Sequence, residues 1–496
     1  MPLFVILPLA GAFLIPLLSR VWKGFADLIG NLVGAALVGL SVYGLVLLAS
    51  GSPGLVYKMG NWLPPLGIVL VYDSLTALVI LVANLVGFPA LLFSLRYLDR
   101  FTGKWKYYTL FMLMLAGMNG VALSGDMFNM FVFIEIAAIS SYALVAFGTG
   151  PGEIEAGFKY MVMAEIGSLV ILFSIALLYA KTSTLNMADM SRVLAGMAHT
   201  PFYWFVLATL LVGFAIKMAM VPFHSWMPDA YLSAPAPVAA VLAGVFSKVI
   251  GIYTLGRVVF NVFGLNRINA PGLFNILVGF GIVSIIVGAL LALNQSNYKR
   301  LLAYSSISQV GYILLGLGIG NYWGVVGALF HVMSHALAKG LLFLSSRSIE
   351  IQTDTREIDK LTGLEKAMPV TTWSYIVGAL SLSGVPPFAG FFSKLFIIIG
   401  AVAAKLYWMA ILAALFSVVT LGYFLKVINR MFHRPDTTAT VPVRESPRLI
   451  LLALFILVGL AVAFGLGFKP LLDWVVSPAA AVLFHGLSYA QLVLGG

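Results

Sequence analysis

The sequence contains no cysteine, which excludes disulfides, thiolate-ligated iron–sulfur clusters and Cys-type zinc sites from this chain. It lacks a Walker A loop and a GxGxxG fingerprint, so the glycine-rich cradles that usually receive phosphates and dinucleotides are missing. Charge is scarce too: 9% of the 496 residues are Asp, Glu, Lys or Arg, against roughly 25% in soluble domains. No cofactor and no metal is expected in this chain. Any redox or nucleotide chemistry is expected to belong to another subunit.

What the sequence has is apolar surface, 61% of residues being hydrophobic. Runs such as LPLAGAFLIPLL, GAALVGLSVYGLVLLAS and LILLALFILVGLAVAFGLG indicate an all-α polytopic membrane protein. About fourteen spans of around twenty residues are predicted. They lie near 2–19, 28–50, 68–95, 107–124, 127–147, 157–180, 203–228, 235–256, 272–293, 301–318, 322–346, 369–398, 401–425 and 449–468. A final amphipathic or interfacial segment is expected over 470–493. No basic residue precedes the first run, so it is expected to be a span and not a cleaved signal peptide.

The net charge of +11 follows the topology. Of 29 Lys and Arg, eighteen fall in connections after odd-numbered spans and six after even-numbered ones (Lys58, Lys181, Arg192, Arg257, Arg267 and Lys405). The positive-inside rule then puts both termini on the non-cytoplasmic side of the cell membrane. No nucleic-acid partner is needed to explain the charge.

Six charges remain inside spans: Lys217, Lys248, Lys339, Lys394, Glu135 and Glu165. Each costs roughly 2.5–3.5 kcal/mol at a helix centre if isolated, so they must pair, neutralise or line water. Glu165, near a span end, is as well explained by a structural ion pair or by snorkelling. Glu135 is the acid deep in its span and the natural partner for Lys217. A buried lysine has a movable proton affinity, and a Glu–Lys pair that can separate loads and releases a proton.

Pro222 in KMAMVPFHSW removes a backbone donor and clashes with the carbonyl of Met218. A second break is expected at SLSGVPPFAGFFSKLF, where Pro386 and Pro387 precede Lys394. Broken helices at membrane depth are tolerated beside protein or a water-filled cavity, and prolines in corresponding halves point to inverted repeats. The breaks fall on the seventh and twelfth spans, an odd offset, so the units must be inverted, at spans 4–8 and 9–13. The chain divides accordingly into 1–106, 107–260, 261–430 and 431–496.

His331, His335 and Lys339 recur every four residues and share a helix face. With Ser305, Ser308, Gln309, Tyr312 and Lys248 they make a polar line suited to proton relay, or else to hydrogen-bonded glue between helices. His224 adjoins the first break and could bond its freed carbonyls. The two histidines lack the glutamate of an HExxH site, which argues against a metal.

FVFIE (Glu135), KMAMVPFHSWMPDAYLSAPAPVAAVLAGVFSK (Lys217 to Lys248), HVMSHALAKGLLF and GVPPFAGFFSK (Lys394) together resemble the antiporter-like subunits of the respiratory complex I superfamily. The resemblance covers essentially the whole chain. It departs slightly at Met227, where Leu is usual, and at Ala236, where Thr is common. MGNWLPPLGIVLVYDSLTALV, SGDMFNMFVFIE and STLNMADM are most similar to the D subunit of Mrp-type multisubunit cation/proton antiporters. Equivalent subunits occur in membrane-bound hydrogenases and sulfur-reducing complexes. The resemblance implies fourteen helices, the two inverted repeats, and a proton path along the membrane midplane. Within that path it makes Glu135 and Lys217 the charge pair, Lys248 the central relay and Lys394 the exit-side lysine.

The leading expectation is therefore a proton-translocating subunit, exchanging protons for a monovalent cation, sodium first, within an assembly of other membrane subunits. The alternative is the proton-pumping module of a redox-driven complex, a membrane-bound hydrogenase, a sulfur-reducing complex or an NADH:quinone oxidoreductase. An autonomous transporter of an organic solute is the contrasting class, disfavoured for organic anions because no arginine lies mid-span, and a scaffold with vestigial charges is disfavoured because six buried charges are costly.

Overall fold

The structure, a computed structural model, describes residues 1–22, 24–101, 103–433 and 443–495. Lys23 and Arg434, both counted above among the connections, lie outside these. Five helices run through the first third of the chain: α1 (Leu3–Leu18), α2 (Phe25–Ala49), α3 (Ser74–Tyr97), α4 (Lys104–Leu123) and α5 (Met127–Val145). Then come α6 (Pro151–Thr182), the short α7 (Met187–Ala195), α8 (Pro201–Met218), α9 (Trp226–Ser233) and α10 (Ala236–Val262). The remainder forms α11 (Pro271–Leu293), α12 (Tyr298–Ile319), α13 (Tyr322–Thr353), α14 (Pro369–Ser383), α15 (Ala389–Ala403), α16 (Tyr407–Val427) and α17 (Arg448–Leu466). Two last helices, α18 (Phe468–Phe484) and α19 (Gly486–Leu494), follow.

Helix starts follow local chemistry. Asp73, Asp126, Asn186, Asn297 and Asn321 cap α3, α5, α7, α12 and α13 by accepting first-turn amides. Proline occupies the first position of α6, α8, α11 and α14, where its missing N–H costs nothing. The expected span at 68–95 is corrected at its start. Residues Val69–Tyr72 form a strand, β2, paired antiparallel with β1 (Leu55–Lys58) in the register Leu55 to Tyr72. Asp73 then caps the helix proper.

Among the described residues, eleven helices are long and apolar enough to cross a membrane, twelve if α18 and α19, bent by 92°, count as one span. The chain is thus a multi-pass helical membrane protein. The expected count of about fourteen is not reached by this measure. α1 has 16 residues, α14 and α15 have 15 each, and α4 opens on two lysines.

Helix α10 is buried throughout, α13 except at its ends, α12 nearly throughout and α3 over most of its length, whereas α2, α6 and α17 face outward over most of their length. The lysines and histidines singled out above lie mainly on the buried helices. The fold places its charges in its centre.

Candidate functional site

Both proline motifs break their helices, and the two breaks have the same backbone pattern. α8 ends at Ala219 in the left-handed region (φ 57°), and the Met220 amide bonds back to Ala215 O at 3.1 Å. α14 ends at Gly384 (φ 85°), and Val385 bonds back to Leu380 O at 3.1 Å. Three residues on, Phe223 donates to Met220 O and Phe388 to Val385 O. In each case the turn closes off the C-terminal end of the first half-helix, where carbonyl oxygens concentrate negative potential.

Each break has an ammonium group at that negative end. Lys217 stands in the last turn of α8. Lys394 comes from α15, yet reaches back across the break and donates to Ser383 O, the last residue of α14, at 3.2 Å. The two lysines therefore occupy different sequence positions relative to their prolines and similar electrostatic positions. Trp226 Nε1 covers the carbonyl of Ile216 at 3.1 Å. His224 is half-buried and its Nδ1 has no hydrogen-bond partner among the described residues.

Lys217 Nζ lies 3.8 Å from Glu135 Oε1, with the lysine buried and the glutamate 20% exposed. The sequence-based pairing is thus brought together in space. The ammonium has no hydrogen bond to the described residues, so the pair is held by charge attraction at a loose distance and not by a locked bidentate bond. Ser168 of α6 donates to the same Glu135 oxygen. Glu165 is half-exposed on α6.

The central line is also assembled. Gly244 lets α10 approach α13 closely, since a Cβ there would lie 3.0 Å from the Ala336 carbonyl. Lys248, buried on α10, donates to Ala243 O and to Ser247 Oγ (3.1 Å). His335 sits within electrostatic range of both Lys248 and Lys339, and His331 within range of Lys248 and Lys394. The two imidazole centroids are 6.1 Å apart. His331 Nδ1 meets Ser393 Oγ at 2.8 Å. His331 Nε2 and both nitrogens of His335 have no hydrogen-bond partner among the described residues.

Lys339 donates to Leu302 O (2.6 Å) and Ser305 Oγ (2.5 Å). Tyr312 lies under Lys394, its ring centroid 4.7 Å from the ammonium, and its hydroxyl donates to Ala413 O. Both amide atoms of Gln309 lack a partner among the described residues, while Ser308 donates to the Ile285 carbonyl of α11 as interhelical glue. Buried polar groups are almost always hydrogen-bonded, so open donors and acceptors gathered on α12 and its neighbour α13 are uncommon in a purely structural core.

Two buried ion pairs were not anticipated. Arg257, expected in a connection, lies within α10 and forms a bidentate pair with Asp73 at 2.7 and 2.8 Å. This corrects its placement in a connection: it stands near the end of the span, not in the middle. α10 continues past Lys248 because nothing stops it before Gly264, which turns left-handed (φ 63°). Lys299, also expected in a connection, is buried in α12 and pairs with Glu350, which Arg347 and Arg356 share at 2.6 Å each. Both pairs join residues distant in sequence, and no local signal marks them.

A buried helical core with broken helices and a lysine–histidine line defines an ion-translocating membrane subunit. The chain matches the model for the family "NADH:quinone oxidoreductase/Mrp antiporter, TM" over residues 124–420. It belongs to that family. It is 37% identical over 455 residues to NADH-quinone oxidoreductase subunit N of Desulforudis audaxviator (strain MP104C), covering 90% of each chain. To the D subunit of the Na(+)/H(+) antiporter of Alkalihalophilus pseudofirmus (strain ATCC BAA-2126 / JCM 17055 / OF4) it is 32% identical over 491 residues, covering 97% of each. A chain in the solved structure of the membrane-bound sulfane sulfur reductase, an archaeal respiratory membrane complex, superposes with a TM-score of 0.91 at 32% identity over 99% of both chains. Antiporter-like subunits of both homes thus share its sequence and fold.

Proposed function

We propose that the chain is the proton-translocating, antiporter-like subunit of a multisubunit membrane complex, exchanging protons for a monovalent cation, sodium first. The observation that carries this reading is the loose Glu135–Lys217 pair, 3.8 Å apart, at the head of a buried line of further lysines that form no ion pair among the described residues. In this reading Glu135 and Lys217 load the proton, and Lys248, His335, His331 and Lys339 pass it along the midplane. Lys394 hands it on at the second break. Water would complete the open hydrogen-bonding positions of Lys217, Gln309 and the two histidines, as it does for buried polar groups generally.

The matched breaks support two inverted repeats, 107–260 and 261–430, with 1–106 and 431–496 as flanking helices that meet partner subunits. Moving Arg257 and Lys299 out of the connections takes one residue from each side of the charge count. That supports keeping both termini on the non-cytoplasmic side of the cell membrane.

The second reading, a pump module driven by a redox neighbour, is favoured by the likeness to the oxidoreductase and sulfane-reductase chains. Both readings use the same lysine line. Glu135→Gln and Lys217→Ala should each abolish cation-dependent proton flux in membrane vesicles while the assembly still forms. Wild-type flux in either variant would sink the relay in both readings.

A further inference from the structure

Arg257 and Asp73 are buried and ionised, and the proton line does not use them. Arg257 Nη2 also donates to Thr76 Oγ1 (3.1 Å) and Tyr253 OH (3.3 Å), and Nη1 to Asn261 Oδ1 (3.2 Å). Its guanidinium stacks on the ring of Tyr489, 4.7 Å away, in the C-terminal segment. Asn261 Nδ2 donates to Val482 O in the same segment at 2.7 Å. Gly486 packs so tightly that a Cβ there would fall on the Phe260 carbonyl oxygen. The bent α18–α19 segment is thereby latched over the end of α10.

Beneath the latch is a small cavity of about 20 Å³, room for roughly one water. Its walls are almost wholly apolar: Lys248 and Tyr253 line it with carbon, and Leu483 of the C-terminal segment closes it together with Leu75, Val79 and Ile313, so it keeps the surroundings of Lys248 dry. Lys248 and Arg257 are nine residues apart on α10. Two features obstruct a proton path from Lys248 past this end of α10. An arginine cannot give up its proton, and a fixed guanidinium in a pore repels protons and cations. The Tyr253 hydroxyl is also committed, to Ala122 O at 2.6 Å.

We propose that Asp73, Arg257 and the C-terminal segment form a proton seal, which isolates Lys248 from water at this membrane face so that protons leave the lysine line only by the coupled route. The inference rests on the exchange reading above and adds to it a specific barrier against uncoupled leak.

The test uses the whole assembly, purified through this subunit and reconstituted into phosphatidylethanolamine–phosphatidylglycerol vesicles. A pH gradient is imposed without sodium or another transported cation, and its decay is followed with a pH-sensitive dye. Arg257→Met should assemble and lose the gradient several-fold faster than wild type. Adding Lys248→Met to it should restore tightness, because the leak runs through that lysine. Leu483→Asn, which opens the cavity from the side of the C-terminal segment, should leak in the same way and decides the matter alone if Arg257→Met fails to assemble. Assembled variants that hold the gradient as long as wild type would overturn the seal, as would a leak that persists without Lys248. A wild-type complex that shows no cation exchange would contradict the exchange reading and leave the leak comparison standing on its own.

Discussion

Every position in the proposed relay that needs a movable positive charge holds lysine or histidine, and the one buried arginine in α10 stands where charge must stay fixed. An ammonium responds to burial and to neighbouring carboxylates, whereas a guanidinium remains protonated. Lys217→Arg and Lys394→Arg should therefore keep charge and assembly but reduce cation-coupled proton flux to background; near-normal flux in either would show that charge alone suffices. Asp73 illustrates the opposite requirement. Burial alone would raise its carboxyl, but Arg257 and the bonds from Thr76 outweigh that and hold it below the ordinary carboxylate value. Its contribution is present above the unfolded value of about 3.9 and is lost only as pH falls through the depressed folded value. Vesicle tightness should accordingly be unchanged between about pH 5 and about pH 9, and a leak switching on inside that window would point to another titrating group. At this scale the Glu135–Lys217 pair was legible in the sequence because an isolated membrane charge is costly and one deep acid was available. Arg257 and Lys299 were not, since each sits near the end of an apolar run and looks like a connection residue. Their partners, Asp73 and Glu350, lie far away in the chain. Ser168 and Ser393, which touch Glu135 and His331, resemble any other serine in a membrane helix.

Among elements, the two broken helices carry most of the geometry. Ala219 occupies a left-handed conformation that costs a non-glycine residue about 1–2 kcal/mol. Ala219→Gly should raise the thermal unfolding midpoint of the assembly and leave flux intact, and a lowered midpoint would contradict the assigned turn. Gly390 is the reverse case, because a Cβ there would collide with the Ser381 carbonyl across the second break. Gly390→Ala should destabilise by ~3 kcal/mol, the upper end of overpacking effects, seen as loss of assembled complex or a sharply lower midpoint. Both breaks were readable from proline alone. What proline could not show is that Lys394, on the far half of its helix, reaches back to Ser383 and so mirrors Lys217 electrostatically. The strand at Val69–Tyr72 was hidden for a related reason, since a short apolar run reads alike as strand or as the start of a buried helix.

For the whole molecule, burial is the organising fact: α10 and α13 carry the lysines and histidines in the centre, and the outward helices are left to lipid and partners. Membership of the class was legible from composition and from long motifs, but the identity of the neighbouring subunits is not encoded in this chain. A mild-detergent pull-down from the native membrane should recover other small hydrophobic antiporter subunits. Recovery of iron–sulfur or nickel-containing subunits would move the chain to the redox-driven reading with its lysine line unchanged. The most direct test of exchange itself is a sodium pulse applied to vesicles holding the purified complex, with internal pH recorded and no electron donor present. Sodium-driven proton movement in the wild type, absent in Lys217→Arg, is the result predicted here. No movement in an intact wild-type complex until an electron donor is supplied would contradict it.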